Sequence, residues 1–595
     1  MRRLSFLVLF ALLSACATTQ HDVVIRNGVI YDGSGADPIR GDVAIDGHRI
    51  SAVGHVEGKG RSEIDARGLA VAPGFINMLS WAIDSLIADG RGMSDIKQGV
   101  TLEVFGEGES MGPLDDRMKA EAKRQQGDIK YDIDWTTLRE ALDSLVRRGI
   151  SPNIASFVGA TTVRQYVLGN DDRAPTAREL EQMRALVKHA MDDGALGVGS
   201  ALIYAPAFYA KTDELIELCK VASASNGMYI SHMRSEGNRL LEAVDELITI
   251  SREANLPAEI YHMKSAGEAN WPKEDAMIAK IEAARAHGQR VTANMYTYNA
   301  GATGLDAAMP PWVQEGGLES WRKRLQDPAI RETVAREMRT PTDKWENLML
   351  LAGGAENVLL TGFKSAALKP LTGKRLAEVA RMRGKSPEQT AMDLVVEDDS
   401  RIEAIYFIIN EDNIRKQIRQ PWVSFGSDAG ASAPEGVFLA SSTHPREYGN
   451  FANLLGKYVR DEKVISLQEA IRRLTSLPAA NIHIAERGAL KPGYFADVVV
   501  FDPNTIAAHG TYEKPMQYAT GVIDVFVNGV QVLRDGEHTG AKPGMVVLRS
   551  DASSRASAAS RGIPEDERTS HMRSGFLDSL RSLGMKVTSP SRATP

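Results

Sequence analysis

Cysteine is nearly absent: the 595 residues hold only Cys16 and Cys219. If Cys16 carries lipid, as the words around it indicate, Cys219 has no partner and no intramolecular disulfide can brace the fold. Long apolar runs are missing too. After the N-terminal segment nothing reaches the roughly 18 uninterrupted apolar residues expected of a transmembrane helix. Basic charge is not in excess, since 70 Lys and Arg stand against 77 Asp and Glu for a net charge of -7. No large basic patch is implied, and nucleic acid is set aside as a partner. What is present is an ordinary globular composition, 43% hydrophobic and 25% charged, in a chain long enough for one large core with attachments.

The first twenty residues read as a targeting segment. Arg2 and Arg3 form a positive n-region, Leu4 to Leu13 an apolar stretch too short to span a bilayer, and Leu13-Ser14-Ala15-Cys16 follows. That tetrapeptide resembles a bacterial lipobox, in which the cysteine becomes the lipidated first residue of the mature chain. The expectation is a protein of the cell envelope, anchored by lipid at Cys16 and facing the periplasm, with the outer membrane as its site. Cys219, inside the helical pattern Asp213 to Cys219, reads as a buried structural thiol.

Short strands bracket the chain: Val23 to Ile30 and Asp42 to Ile50 near the start, Ala496 to Asp502 and Val522 to Gly529 near the end. With no helices among them, they point to one small β-domain built from both ends. Between them, apolar strands alternate with amphipathic helices such as Ala177 to Asp192, Asp213 to Ser225 and Lys273 to His287. The strands are Leu69 to Ile76, Thr101 to Phe105, Asn153 to Val158, Gly197 to Ala201, Met228 to His232, Glu259 to Met263, Arg290 to Tyr296 and Trp422 to Ser427. Eight strands with intervening helices is the count for a (β/α)8 TIM-like barrel of the α/β class. The gap before the last strand is too long for one helix, so an inserted subdomain is expected around 304–361. The tail from about Ser550 is rich in Ser, Ala and Arg and reads as mostly disordered.

Barrel chemistry gathers at the C-terminal ends of the strands. There the sequence offers His232, His262 and Asp428, from the fifth, sixth and eighth strands. Neutral imidazoles and a carboxylate suit a divalent metal such as Zn²⁺ that activates water, with a second carboxylate to take the proton. A third ligand is sought in Phe105-Gly106-Glu107-Gly108-Glu109, where Glu107 is chosen and Glu109 is the fallback.

Specific words then accumulate: Ala72-Pro73-Gly74-Phe75-Ile76, Ser231-His232-Met233-Arg234-Ser235-Glu236, His262-Met263-Lys264, Gly426-Ser427-Asp428, His444-Pro445-Arg446-Glu447-Tyr448-Gly449 and Gly493 to Asp502. In this order they resemble the D-aminoacylase (N-acyl-D-amino-acid deacylase) branch of the amidohydrolase superfamily. The resemblance implies a metal-dependent barrel with a β-sandwich made by both chain ends. Its parts would be a signal segment 1–20, a first sandwich part 21–72, the barrel 73–484, a second sandwich part 485–549 and the tail 550–595. It implies that His232 and His262 hold the catalytic metal, with Glu107 near the place where many relatives have a bridging Cys. Asp428 would be the general base, and Tyr204 would polarise the scissile carbonyl. Lys264, Tyr296 and Arg446 would bind the substrate carboxylate, with Arg234 a further substrate-binding candidate. The substrate would be a small N-acylated D-amino acid or a dipeptide with a D-residue.

Two departures qualify the resemblance. The first strand ends in Asn77-Met78-Leu79-Ser80-Trp81 where most of the superfamily has Asp-x-His-x-His, so neither histidine of a second metal site is present. The acid expected near the seventh strand is Asn294. One zinc per chain is therefore expected. Two other readings remain: an amidohydrolase of another linear or cyclic amide, and a non-catalytic binding protein on a degenerate barrel.

Overall fold

The computed structural model describes residues 20–550. The signal segment with Cys16, and the tail beyond Ser550, lie outside the described residues. Eight barrel strands appear in order: Phe75–Asn77, Val100–Phe105, Asn153–Ser156 continued by Val158–Gly159, Gly197–Ala201, Met228–His232, Ala258–Ile260, Val291–Met295 and Val423–Phe425. Each pairs in parallel with the next through the seventh, which pairs with the eighth. The third strand bends at Phe157, whose N–H donates to the Phe105 carbonyl at 2.9 Å. Its first half can then pair with the second strand and its last residues with the fourth. The ring closes where Met78 N–H donates to Phe425 O at 3.1 Å and Asp428 N–H to Leu79 O at 2.8 Å. These strands are buried on both faces, as Val100–Phe105 illustrates: every residue of it is buried, including Thr101 and Glu103.

The helices between them start on polar caps. Ala177–Asp192 opens on Thr176, whose hydroxyl accepts from Glu179 N–H while the Glu179 side chain reaches back to the cap, and its buried face carries Met183, Leu186, Val187, Ala190 and Met191. Cys219 lies fully buried on Thr212–Ser223, and burial pushes its thiol pKa up, as expected of a structural thiol.

A second sheet unites the chain ends. Ala70–Pro73 runs antiparallel to Val498–Phe501, with Pro73 opposite Val498, and parallel to the end of Gln20–Ile30. Ile25, Val43, Ile45, Val71, Val498, Val500 and Phe526 fill this domain's core. The single predicted strand Leu69 to Ile76 is thus two strands in two sheets, divided at Gly74. A Cβ on Gly74 would fall 2.2 Å from Thr101 Oγ1, so only glycine lets the chain pass between the domains here.

The insertion is longer than the expected 304–361. It carries a three-stranded sheet of Gly301–Gly304, Val358–Gly362 and Glu403–Tyr406, with the last strand in the middle. Glu403–Tyr406 pairs antiparallel with both others. The subdomain can close only when that strand has been added, so it extends well past residue 361. On the opposite end of the barrel, Val547 N–H donates to Ile154 O at 2.8 Å and Ile154 N–H to Met545 O at 3.0 Å, so the last described segment lies along the start of the third strand.

Candidate active site

At the C-terminal mouth of the barrel lies a cavity of about 450 Å³ lined by Glu107, Tyr204, His232, His262, Lys264, Tyr296, Asp428 and Arg446. Glu107 reaches it through Gly106, which has a φ of 109° and lies so close to Phe157 that a Cβ would sit 2.6 Å from its carbonyl oxygen. The chain therefore turns inward directly after the second strand. His262 and Asp428 sit just past the ends of their strands at φ values of 33° and 52°, a region that is costly for a side chain with a Cβ and is often met at functional sites.

Glu107, His232 and His262, all buried, have ligand atoms within 4.8 Å of one another. His262 Nε2 lies 2.8 Å and His232 Nδ1 3.2 Å from the same oxygen, Glu107 Oε1. The imidazole planes stand at 84° with centroids 4.5 Å apart, and one nitrogen of each ring faces the same carboxylate oxygen. Burial works to raise the Glu107 carboxyl, but His262 and His232 hold it well below the usual carboxylate range. Burial and Lys264 press His262 down, yet Glu107 and Glu236 outweigh them and lift it to about 9. A buried set of two imidazoles and a carboxylate in this geometry fits a divalent cation. The donors are mixed N and O, as zinc accepts, and Lys264 Nζ, 2.6 Å from His262 Nδ1, meets that ring on the nitrogen turned away from Glu107.

Behind His262 stands Glu236, which the sequence reading did not assign to the site. Its Oε1 is 3.0 Å from His262 Nδ1 and 2.6 Å from Lys264 Nζ, all three groups being buried. Burial favours the neutral acid, but Lys264, His232 and His262 hold Glu236 well below the ordinary range. A carboxylate on the far nitrogen of a ligating histidine fixes the ring and increases its basicity. The signal was available in the word Ser231 to Glu236: a ligating histidine needs such a partner, and an acid closed the same word.

Asp428 faces the cluster from the eighth strand. Its Oδ2 pairs with Arg446 Nη1 at 2.9 Å, and its Oδ1 accepts from Trp81 Nε1 at 3.1 Å. Burial raises its pKa, with Arg446 opposing and Glu107 reinforcing. The Arg446 guanidinium packs over the Tyr296 ring at 4.5 Å, and its Nε is buried without a hydrogen-bond partner. His444 anchors it from behind by accepting the Arg446 backbone N–H at 3.0 Å, with Nε2 2.9 Å from Ala300 O. Tyr204 sets its ring edge-on to His232 at 5.2 Å, and burial, then Glu107, lifts its phenol far above the usual value so that it stays a donor.

Arg234 requires correction. Its guanidinium turns away from the cavity to Glu246 at 2.9 Å and to the carbonyls of Phe208 and Ala210. Two residues beyond His232 the strand has ended, so alternation no longer returns a side chain to the same face. Arg234 fastens the following loop to helix Leu240–Ala254 and is not positioned to bind substrate. Glu109 lines the cavity but stays outside the ligand group. Leu79 is buried, while Trp81 lines the cavity. Asn294 accepts the His262 backbone N–H through Oδ1 at 2.8 Å and donates to Glu259, so it braces the sixth strand. Arg401, brought in by the inserted subdomain, packs 5.2 Å over the Tyr204 ring and pairs with Asp306 at 3.0 Å. No sequence signal placed Arg401 at the site.

Comparison with known proteins finds relatives along most of the chain. The Amidohydrolase family profile matches residues 62–533. A D-aminoacylase of Alcaligenes xylosoxydans xylosoxydans is 32% identical over 536 residues, which is 89% of this chain and 98% of that protein. A solved D-aminoacylase, studied for its binuclear metal centre with one-metal activation and second-metal attenuation, superposes with a TM-score of 0.73 at 31% identity, covering 89% of this chain and 100% of that one. An N-acyl-D-glutamate deacylase from Bordetella bronchiseptica, complexed with zinc and a phosphonate mimic of the tetrahedral intermediate, gives 0.72 at 28% identity, again covering 89% and 100%.

Proposed function

The chain belongs to the amidohydrolase family, and from that premise we propose that it hydrolyses the amide bond of N-acyl-D-amino acids or of dipeptides carrying a D-residue, using one zinc ion. The observation that carries the reading is the convergence of His232 Nδ1 and His262 Nε2 on Glu107 Oε1 inside a cavity that also presents Asp428 and Arg446. The substrate class rests on the relatives, whose names are those of D-aminoacylases and N-acyl-D-amino-acid deacylases.

Glu107, His232 and His262 would hold the ion. When bound, zinc supplies Lewis acidity and makes water nucleophilic near neutral pH. Asp428 accepts the proton of the attacking water and returns it to the leaving nitrogen. Trp81 and Arg446 each fix one of its oxygens, which limits its rotation. Tyr204, kept protonated by burial, donates to the carbonyl oxygen as charge develops there. Arg446 takes the substrate carboxylate with its unpartnered Nε–H. Tyr296 supports that guanidinium from below, and Lys264, already held by Glu236, adds positive charge to the same wall. A single metal is supported by Leu79 and Trp81, which offer no lone pair for zinc, and by Asn294, whose amide is engaged elsewhere.

The test pairs elemental analysis with a panel of N-acetyl-D and N-acetyl-L amino acids. Close to one zinc per chain and turnover of the D series support the reading. Equal rates on both series favour another amide substrate. No retained metal and no turnover would make the chain a binding protein.

We also propose attachment to the cell envelope through lipid on Cys16, supported by Arg2, Arg3, the apolar Leu4 to Leu13 and the Leu13-Ser14-Ala15-Cys16 word. Labelling with a fatty acid that is lost in Cys16→Ser tests it.

A further inference from the structure

Trp81 holds the position at the end of the first strand where the resemblance places a histidine, and its indole has a definite task. Nε1–H lies 3.1 Å from Asp428 Oδ1 and 3.2 Å from Glu107 Oε2, so one donor is shared by two carboxylates. The other oxygen of each acid is engaged elsewhere, Glu107 Oε1 by the imidazoles and Asp428 Oδ2 by Arg446. The backbone fixes this arrangement. Trp81 N–H donates to Ala429 O at 2.8 Å, Asp428 N–H donates to Leu79 O at 2.8 Å, and Ser80 bridges Ala429 in parallel. The first and eighth strands are thereby joined beyond the barrel rim, and Trp81 is held beside Asp428. The indole is 44% exposed because it forms part of the cavity wall.

We propose that the Trp81 N–H ties Glu107 to Asp428, offers no lone pair to a second metal, and acts as a positioning residue for Asp428. The indole is a donor without a lone pair for metal, so no ion can bind there without displacing it. Two carboxylates that share a donor are held at fixed separation, which keeps Asp428 aimed at the centre although a second ion is not there to orient it. The inference rests on the one-metal reading above.

The experiment compares the full-length enzyme with Trp81→Phe and Trp81→His, each equilibrated against rising zinc. Stoichiometry is read by elemental analysis, and kcat and KM on the best substrate of the D panel. Wild type is expected to saturate at one zinc per chain, and so is Trp81→Phe, whose ring still lines the position and supplies no lone pair. Trp81→His, which adds an imidazole beside Glu107 and Asp428, is expected to take up a second. Trp81→Phe is expected to lose about 10- to 100-fold in kcat with KM changed less than about two-fold, the size usual for loss of a group that orients a functional one. Excess zinc should change the rate of Trp81→His and leave wild type unaffected. Two zinc ions in wild type, one in Trp81→His, or an undiminished kcat in Trp81→Phe would overturn the proposal. The stoichiometry arm reads out even if no member of the D panel is a substrate, so failure of the substrate reading is distinguishable from failure of this one.

Discussion

Replacing Glu236 by Gln separates two roles that the structure gives one carboxylate. Glu236 is 3% exposed and touches His262 Nδ1 at 3.0 Å and Lys264 Nζ at 2.6 Å. The amide is nearly isosteric, so the change removes charge and little volume. Loss of a carboxylate behind a metal-ligating histidine typically costs about 10- to 100-fold in metal affinity. That corresponds to about 1.4 to 2.7 kcal/mol. The same change leaves the Lys264 ammonium buried without its counter-charge, and breaking one side of such a pair costs about 3 kcal/mol or more. Zinc affinity measured by chelator competition, and urea unfolding of the metal-free protein, should therefore both fall in Glu236→Gln. In the double variant Glu236→Gln, Lys264→Met the stranded ammonium is gone. Stability should then return to within about 1 kcal/mol of wild type, while zinc affinity stays low because His262 still lacks its partner. If zinc binding in the single variant stays within about two-fold of wild type, under about 0.5 kcal/mol, Glu236 serves only to neutralise Lys264 and the reasoning about His262 fails.

Asp428→Asn should keep the metal and lose about 10²- to 10⁴-fold in kcat, read by elemental analysis beside steady-state kinetics; near-normal turnover would remove Asp428 as the base. Arg446→Lys keeps the charge but loses the planar fork, so KM for an N-acyl-D-amino acid should rise about 10- to 100-fold, far more than KM for the matching carboxamide. Equal rises for the two would show that Arg446 does not read the carboxylate. Gly74→Ala forces a Cβ to within 2.2 Å of Thr101 Oγ1 and should destabilise the chain by about 1 to 3 kcal/mol in urea unfolding.

The barrel was legible because its parallel strands are short segments rich in apolar residues, separated by helical patterns and polar turns, an alternation that survives whatever each strand packs against. All eight expected strands overlap those observed. The same property hid the division at Gly74, since a buried run of one sheet continues into a buried run of another without a break in hydrophobicity. The ligands were readable from their place at strand tips, His232 on the last strand residue and His262 two beyond. Arg234 misled for the complementary reason: once the strand ends, chain proximity to a ligand no longer fixes direction. The inserted subdomain was underestimated because its closing strand Glu403–Tyr406 lies far along the chain from Gly301–Gly304, and local patterning carries no register between them. Glu236 and Trp81 were both visible as letters. Their tasks depend on distances between strands that a linear reading does not contain.

The sheet shared by the two ends sets a schedule for the nascent chain. Ala70–Pro73 emerges from the ribosome early, but its antiparallel neighbour Val498–Phe501 follows roughly 400 residues later. At about 5 to 20 residues per second that is a delay of roughly 20 to 80 s. Throughout it, one flank of Ala70–Pro73 has no native neighbour, and an unpaired strand flank recruits foreign strands. Production hosts that slow synthesis, or fusions that withhold the last hundred or so residues, should therefore yield inclusion bodies in proportion to the delay. Holdase chaperones that cover short apolar strands should relieve them.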